Sequence, residues 1–235
     1  MLNENRIMVL IPTYNEEKNI GQVIRGVKKS LPQADIVVVD GESTDSTEEI
    51  ARKLGVIILK VPHSLGIAGG VETGFSFADL RGYGMVVRVD GDGQHSPDQI
   101  PRLMQPILNG EADVSIGSRY MGAGDYKASL PRALSIKLFS LIISAIIRQK
   151  ITDATSGFQV VSRRVIEFLS RSYFFDYSEV EAIVLLRKAG FKILEIPVIM
   201  GKRAEGSSSF TFVRAFYYIF TGALSLLISL LKGKP

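Results

Sequence analysis

The sequence predicts an α/β fold in which a mostly parallel, doubly wound sheet carries helices on both faces. Up to about residue 117, short β-branched runs alternate with segments of helical period, which is typical of βαβ units. The β-branched runs are continuously apolar, as expected of strands that are covered on both sides. With 235 residues, 46% of them hydrophobic, the chain can bury a sizeable core. We therefore expect one domain with an appendage.

The elements of this first part follow in order along the chain. Five strands are predicted, at Ile7–Ile11, Ile36–Val39, Val56–Val61, Met85–Val89 and Val114–Ile116. Apolar residues at helical spacing predict the helices between them, at Asn19–Ser30, Ser46–Leu54, Ala68–Leu80 and Pro101–Leu108. Ser43–Asp45 and Ser96–Asp98 contain residue types that begin helices.

The pattern changes after Arg119. A loop is expected at Gly122–Tyr126, and later elements are predicted as helices Leu130–Ile147 and Ser178–Ala189 and a strand Lys192–Val198. The last segment, Phe210–Leu231, is apolar except for Arg214, and the part of it that follows Arg214 lies at the lower edge of the length that spans a bilayer. It could cross a membrane, lie on its surface or pack on the domain. We divide the chain into a domain at 1–209 and this C-terminal helix at 210–235.

The composition excludes several classes of site. The chain contains no cysteine and only two histidines, His63 and His95, which rules out disulfides, thiolate nucleophiles and zinc clusters. A metal ion would have to be bound by oxygen. The net charge of +4 is mild and no basic run is interleaved with aromatics, so we expect no nucleic-acid partner. The N-terminus lacks the pattern of a secretory signal, and we expect the catalytic part in the cytosol.

The segment Asp90-Gly-Asp92-Gly-Gln94 directly follows the predicted strand at Met85–Val89. It places two carboxylates and an amide oxygen at the carboxyl end of a strand, where open α/β sheets bind ligands. Mg²⁺ typically takes one or two carboxylates and shares its other positions with substrate phosphates. The alternative is an ordinary turn, since Asp and Gly are common turn residues. Taken alone, the segment favours a metal site only weakly.

Four motifs in this order resemble those of the family 2 glycosyltransferases, from about residue 7 to about residue 210. They are Ile11-Pro-Thr-Tyr-Asn-Glu-Glu17, Val37–Asp40 with Ser43-Thr-Asp45, Asp90–Gln94, and Asp153-Ala-Thr-Ser-Gly-Phe158. Within that family the chain looks most like the dolichol-phosphate mannose synthase branch, which includes bacterial polyprenyl-phosphate glycosyltransferases. The resemblance implies a GT-A fold, a doubly wound relative of the nucleotide-binding architecture, and inversion at the anomeric centre.

By this resemblance Pro12, Tyr14 and Glu16 form the loop that holds the nucleotide, and Asp40 reads its base. An aromatic ring can pack on a base, and a carboxylate accepts hydrogen bonds from base N–H groups. The alternative is a turn formed by Pro12 and Asn15, with Glu16 at the start of a helix, where the helix dipole favours an acid. One departure from the family pattern concerns Asp40-Gly41-Glu42-Ser43, because the second carboxylate comes one position later than usual. Base recognition is therefore open, and both uracil and guanine would suit Asp40.

Asp90, Asp92 and Gln94 match the metal motif of the family, so the resemblance implies Mg²⁺ or Mn²⁺ on the diphosphate of a nucleotide sugar. Asp90 is also expected to contact the sugar or ribose. Arg119 matches an arginine of the family that contacts phosphate. A guanidinium suits this role because its planar donors can bind two phosphate oxygens at once. Arg132 and Ser135 match positions linked to the acceptor phosphate and the sugar. For Arg132 a solvated or lipid-facing cation is nearly as good an explanation.

The last two motifs concern the sugar and the acceptor. Asp153–Phe158 is expected to form a loop that closes on the sugar, or else a helix-capping turn. Lys202 and Arg203, ahead of Gly206-Ser-Ser-Ser209, resemble a mobile acceptor loop in which a basic residue meets the diphosphate. A basic, Gly/Ser-rich stretch is also typical of a solvated linker. The expected catalytic residues are Asp92, Arg119, Arg132 and Arg203.

The type of acceptor is inferred from residues that the sequence lacks. Family members that glycosylate a hydroxyl often carry a Glu-Asp base and a tryptophan motif, but this chain has no Trp, and Glu179 and Glu181 lie in another context. A phosphate monoester is already anionic and needs no strong base. We therefore expect a polyprenyl phosphate acceptor at the cytoplasmic face of the membrane, with GDP-mannose or UDP-glucose as the type of donor. The alternatives are transfer to a hydroxyl of a lipid-linked or cell-wall glycan, and a nucleotide-sugar-binding protein without turnover.

Overall fold

The computed structural model describes residues 6–121, 130–171 and 179–201. Within these ranges one sheet contains seven strands in the order β3-β2-β1-β4-β6-β5-β7. The strands are β1 Ile7–Thr13, β2 Asp35–Asp40, β3 Ile57–Lys60, β4 Met85–Arg88, β5 Val114–Ser118, β6 Gln159–Ser162 and β7 Ile193–Pro197. The helices are α1 Ile20–Ser30, α2 Thr47–Lys53, α3 Gly66–Leu80, α4 Ile100–Leu108, α5 Leu130–Ile147, α6 Arg163–Arg171 and α7 Glu179–Lys188.

The sheet is parallel except at β6, which runs antiparallel to both β4 and β5. This arrangement is a GT-A-like α/β fold, as the sequence predicts. The chain adds β2 and β3 on one side of β1 and then places β4 on the other side. The crevice between the carboxyl ends of β1 and β4 is therefore the switch point at which open α/β sheets bind ligands.

Two apolar layers cover the sheet. Met8, Leu10 and Val86 point into the layer that contains Phe75 of α3. Alternate residues of the same strands point to the opposite face, where they pack with α1 and α4; Val9, Ile11 and Val87 are examples. The two layers explain why the strands read as continuous apolar runs.

Every predicted strand and helix in the described ranges is confirmed, and the observed ends differ from the predicted ones by at most two residues. The strand β6 and the helix α6 were missed. β6 is only four residues long, with two valines at its centre, and such a run carries little periodicity. The helix α6 buries Val165, Ile166 and Leu169 at helical spacing, a signal that could have been read.

The loop at Gly122–Tyr126 and the C-terminal helix at 210–235 lie outside the described residues. Those two predictions, and the division of the chain at residue 209, stay predictions. Among the helices that are described, none combines the length and the apolar character needed to cross a bilayer.

Candidate active site

The segment after β4 is a turn that presents carboxylates at the switch point. Gly93 has a φ of +76°, a left-handed conformation that favours glycine. The backbone N–H of Gln94 donates to Oδ1 of Asp92 at 3.0 Å. Asp90, Asp92 and Gln94 all remain partly exposed. The turn reading and the site reading of this segment are therefore compatible.

His95 holds the first carboxylate of this turn in place. Its Nδ1 accepts the backbone N–H of Asp90 at 3.0 Å, and its Nε2 lies 3.7 Å from Oδ2 of the same residue. The ring is buried and stacks on Phe158, with ring centroids 4.8 Å apart. Burial lowers the pKa of His95, although Asp90 and Asp92 act in the opposite direction. A neutral imidazole also agrees with an Nδ1 that accepts a hydrogen bond.

A buried ion pair lies beside Asp90. Arg88, the last residue of β4, is 3% exposed, and its Nη2 donates to Oε1 of Glu179 at 2.8 Å. The same Nη2 lies 3.5 Å from Oδ1 of Asp90. The sequence reading missed Arg88 and Glu179 as site residues. A charged residue inside an apolar strand run was the available signal, because buried arginines require a partner.

Arg119 and Asp153 form a second buried ion pair. Nε and Nη2 of Arg119 donate to the two carboxylate oxygens of Asp153, each at 2.7 Å, and the backbone N–H of Arg119 also donates to Asp153. Asp153 is fully buried and Arg119 is 6% exposed. No helix begins at Asp153, so the capping-turn alternative fails. The phosphate contact expected of Arg119 stays a prediction.

The segment 153–158 closes over Asp90, the region where the sugar was expected. A Cβ built on Gly157 would lie 2.9 Å from Oδ2 of Asp90 and 3.0 Å from Nη2 of Arg88. Burial alone would raise the pKa of Asp90, but the neighbouring guanidinium groups of Arg88 and Arg119, together with the adjacent ring of His95, outweigh it and lower the pKa. Asp90 is therefore an ionised carboxylate at neutral pH.

Glu195 of β7 ties this segment to the sheet. Its carboxylate accepts hydrogen bonds from the backbone N–H groups of Thr152 and Asp153, both at 2.8 Å, and from the hydroxyl of Thr152 at 3.0 Å. The hydroxyl of Thr152 also lies 2.7 Å from that of Ser118. The sequence reading did not assign Glu195 to the site.

The predicted nucleotide loop follows β1 and borders the residues after β2. Pro12 and Thr13 end β1, and Thr13 is paired in register with Asp40. Glu16 begins the approach to α1: its side chain accepts Nδ2 of Asn19 at 2.7 Å, and its backbone N–H donates to the hydroxyl of Thr47 at 2.8 Å. The helix α1 itself begins at Ile20, with Asn19 at its N-cap and no acidic residue in its first turn, so Glu16 precedes the helix and does not start it. A nucleotide contact by Pro12 or Glu16 remains a prediction.

The geometry of Asp40 shows what the unusual Asp-Gly-Glu-Ser sequence does. Asp40 is 1% exposed and accepts both the hydroxyl and the backbone N–H of Ser43. Glu42 is exposed and has a φ of +59°, and its Oε2 accepts the backbone N–H of His63 at 3.1 Å. The ring of His63 stacks on Tyr14 at 4.1 Å between centroids. The displaced carboxylate therefore stands beside the aromatic ring expected to meet the base.

The structure describes only part of the residues that the sequence analysis links to the acceptor. Arg132 and Ser135 belong to the first turns of α5, but their side chains are not among those the structure describes. Lys202 and Arg203 lie outside the described residues. Their assignment to an acceptor site stays a prediction.

The residues after β4 fit a divalent cation that completes its ligand shell with substrate. Two carboxylates and an amide oxygen are hard donors, and Asp90 is held ionised by its surroundings. Across residues 6–121, 130–171 and 179–201, no three His, Cys, Asp or Glu side chains form a ready-made metal site. The two carboxylates and the amide oxygen after β4 would suit Mg²⁺ or Mn²⁺ that takes its remaining ligands from a diphosphate.

Comparison with known proteins shows which family the chain resembles. The family described as Glycosyl transferase family 2 matches residues 8–169. The chain is 31% identical over 213 residues to the polyprenol monophosphomannose synthase of Mycolicibacterium smegmatis, covering 86% of this chain and 80% of that protein. It is 29% identical over 212 residues to the UDP-N-acetylglucosamine–dolichyl-phosphate N-acetylglucosaminyltransferase of Methanococcus voltae, covering 82% and 84% of the two chains.

A solved structure with the same fold is glucosyl-3-phosphoglycerate synthase from Mycobacterium tuberculosis, crystallised with Mn²⁺, UDP and phosphoglyceric acid. Its TM-score is 0.74 at 21% identity, and the superposition covers 95% of this chain and 78% of that one. At this identity the likeness concerns the fold.

Proposed function

Because the chain belongs to the Glycosyl transferase family 2, we propose that it is an inverting enzyme that moves a hexose from a nucleoside-diphosphate sugar to a polyprenyl phosphate. Glycosyl transfer as such follows from the family and from relatives that match more than four fifths of the chain. The lipid phosphate acceptor is supported by the names of those relatives, two of which are a polyprenol monophosphomannose synthase and a dolichyl-phosphate N-acetylglucosaminyltransferase.

The observation that carries this proposal is the turn Asp90–Gln94 at the switch point of the sheet. Asp90 lies beside two ion pairs, Arg88–Glu179 and Arg119–Asp153, each of which is neutral as a pair. Asp90 and Asp92 therefore add two further carboxylates at this end of the sheet, and hard oxygen donors of this kind suit a divalent cation. A bound Mg²⁺ or Mn²⁺ would supply Lewis-acid stabilisation of the charge that grows on the departing diphosphate.

The residues of the chain bind and orient the donor. Tyr14 and Asp40 are proposed to meet the base, with Glu42 as a second carboxylate close to the His63 ring that stacks on Tyr14, and Asp90 is proposed to meet the sugar or ribose. The segment 153–158 covers Asp90 and limits the access of water to it. The acceptor phosphate is already an anion at neutral pH, so the reaction needs alignment and charge compensation more than a general base.

The donor is of the GDP-mannose or UDP-glucose type, and the relatives act on different sugars, mannose in one name and N-acetylglucosamine in the other. A polyprenyl chain does not leave a bilayer readily, which places the reaction at a membrane surface. We propose the cytoplasmic face, with the apolar segment 210–235 as the part that meets the lipid.

The first test is metal-dependent stabilisation by the donor. A ligand that binds only the native state raises the melting temperature. With Mn²⁺ present, GDP-mannose and UDP-glucose are expected to differ, and the true donor type should raise it by several degrees. Asp92→Ala should abolish that shift, because it removes a carboxylate from the proposed metal site. Asp98→Ala, an exposed acid outside the turn, serves as the control and should keep the shift. An unchanged shift in Asp92→Ala would show that the metal assignment is wrong.

The second test is the chemistry of the product. Transfer to a polyprenyl phosphate gives a sugar–phosphate–lipid linkage that mild acid cleaves, whereas transfer to a hydroxyl gives an acid-stable glycoside. Radiolabelled donor, polyprenyl phosphate and Mn²⁺ should yield an acid-labile lipid product. An acid-stable product, or donor binding without any transfer, would contradict the proposed acceptor.

A further inference from the structure

We propose that Glu179 is a positioning residue that acts through Arg88: it neutralises this buried guanidinium and thereby leaves the carboxylate of Asp90 available to a divalent cation. The inference rests on the proposed function, because it concerns the site that would hold the metal and the diphosphate of the donor. It assigns a role to an ion pair that the sequence motifs do not include.

The strand geometry brings the three groups together. Val86 points into the layer that holds α3, and alternate residues of a strand share a face. Arg88 therefore points to the same side as Val86, and Asp90 continues this direction beyond the end of β4. Glu179, the first residue of α7, has a side chain that is 13% exposed and meets Arg88 from that side. The three charged groups thus lie in one partly enclosed space.

The distances show how Arg88 divides its interactions. Its Nη2 makes a full hydrogen bond to Glu179, at 2.8 Å, and stands 3.5 Å from Oδ1 of Asp90, beyond an ordinary N–H···O hydrogen bond. A guanidinium with a 4% exposed side chain must be compensated by an anion, and Glu179 provides that anion at the shorter distance. Asp90 is close enough to Arg88 for the positive charge to favour the ionised carboxylate, but the two groups are too far apart for a hydrogen bond of ordinary length.

Removal of the charge of Glu179 would change this balance. Arg88 would remain a cation, because a guanidinium does not lose its proton in proteins. Its nearest carboxylate among the described residues of the site would then be Asp90, and the gap of 3.5 Å is small enough to close by a side-chain rotation. If Asp90 were bound to Arg88, the guanidinium would compensate much of its negative charge and would occupy oxygen lone pairs that a metal ion needs. Arg88 would compete with the divalent cation for the same carboxylate.

The segment above these residues limits other rearrangements. The backbone at Gly157 is packed so closely that a Cβ there would lie within 3.0 Å of both Arg88 and Asp90. His95 fixes the backbone of Asp90 from the other side. Movement of Arg88 toward Asp90 is therefore a short path open to the guanidinium once Glu179 no longer binds it as an anion.

The test uses variants in which charged side chains are replaced by uncharged ones. Their binding is measured by calorimetry, with Mn²⁺ and UDP and, separately, Mn²⁺ and GDP as the probes. Glu179→Gln keeps the shape of the side chain and should weaken binding of the preferred metal–nucleotide probe by about 10-fold or more, the range for residues that support metal ligands. The double variant Arg88→Met with Glu179→Gln removes the competing cation and should recover binding to within a few-fold of wild type. Glu167→Gln breaks a pair of the same 2.8 Å length between α6 residues Arg163 and Glu167, and should leave binding unchanged.

The outcomes separate this inference from the proposed function. If the wild-type chain binds neither probe, the proposed function fails and the inference fails with it. If wild type binds and Glu179→Gln binds equally well, the inference alone is overturned. If the double variant stays as weak as Glu179→Gln, Glu179 acts on the ligand directly, and the role through Arg88 is wrong. If Glu179→Gln does not fold, the double variant still decides: binding near the wild-type level supports the inference and its loss overturns it.

Discussion

Gly157 lies against the carboxylate of Asp90 with no room for a side chain. A Cβ at this position would come within 2.9 Å of Oδ2 and 3.0 Å of Oδ1 of Asp90, closer than real Cβ atoms come to their neighbours. Gly157→Ala should therefore displace Asp90 or the segment that covers it. We expect 10- to 100-fold weaker metal-dependent nucleotide binding, roughly the range for residues that support metal ligands.

The control for this substitution is Gly70→Ala in α3. A Cβ at Gly70 would meet its neighbours at 3.7 Å and 4.0 Å, which is ordinary contact, and Ala is a better helix former than Gly. Gly70→Ala should keep nucleotide binding and should not lower the melting temperature. Binding by Gly157→Ala at the wild-type level would show that the segment 153–158 does not control Asp90.

At the level of residues, the sequence predicted the groups that carry motifs but not the groups that support them. Asp90, Asp92 and Gln94 were identified because their order after a strand is itself a signal. Arg88 and Glu179 are 91 positions apart along the chain. Nothing in a single sequence pairs them, because their contact depends on how α7 packs against the sheet.

At the level of elements, the strand β6 explains why Asp153–Phe158 lies in the site. The carboxyl ends of parallel strands lie at one edge of a sheet, so a parallel strand begins at the opposite edge. Because β6 is antiparallel to β4 and β5, it begins at the edge where those strands end. The residues that precede β6 are thereby brought next to Asp90 and Arg119. The sequence reading placed this motif near the sugar by resemblance but missed the strand that positions it.

The attachment of this segment to β7 can be tested through Glu195. Burial raises the pKa of Glu195, although the donors from Thr152 and Asp153 oppose the shift. A Gln side chain has one acceptor oxygen and an NH₂ group, so it cannot accept all three of these hydrogen bonds. Glu195→Gln should reduce the free energy of unfolding by about 1–3 kcal/mol, the cost of leaving a buried donor unsatisfied.

Urea unfolding followed by circular dichroism measures this change. Glu111→Gln is the matched control, because Glu111 is exposed and accepts only a surface hydrogen bond from Asn109. It should change the free energy of unfolding by less than about 0.5 kcal/mol. Equal stability of Glu195→Gln and wild type would show that the turn at Thr152–Asp153 is held by its other contacts.

At the level of the whole molecule, the proposed polyprenyl phosphate acceptor implies an element that meets a membrane. The two apolar layers of the sheet are closed by helices, and no described helix is suited to cross a bilayer. We propose that contact with lipid is made by the apolar segment Phe210–Leu231, which is followed by Lys232 and Lys234. Burial of apolar side chains and attraction of the lysines to anionic lipid would both favour binding. Salt screens only the attraction of the lysines to anionic lipid, so binding at high salt measures the contribution of apolar burial.

We expect the full chain to float with vesicles that contain anionic lipid, and to remain partly bound in 0.5 M salt, where the Debye length falls to roughly 4 Å. Leu224→Asp places a charge near the middle of the apolar stretch between Arg214 and Lys232, at a cost of roughly 2.5–3.5 kcal/mol if that position is buried in lipid, and should reduce the bound fraction at least 10-fold. Leu80→Asp is the matched control, since Leu80 is 83% exposed at the end of α3, next to the turn that leads into β4 and so at the edge opposite the proposed site. If the two variants bound vesicles equally well, the C-terminal segment would not be the element that meets the membrane, and the acceptor would have to reach the site by another surface.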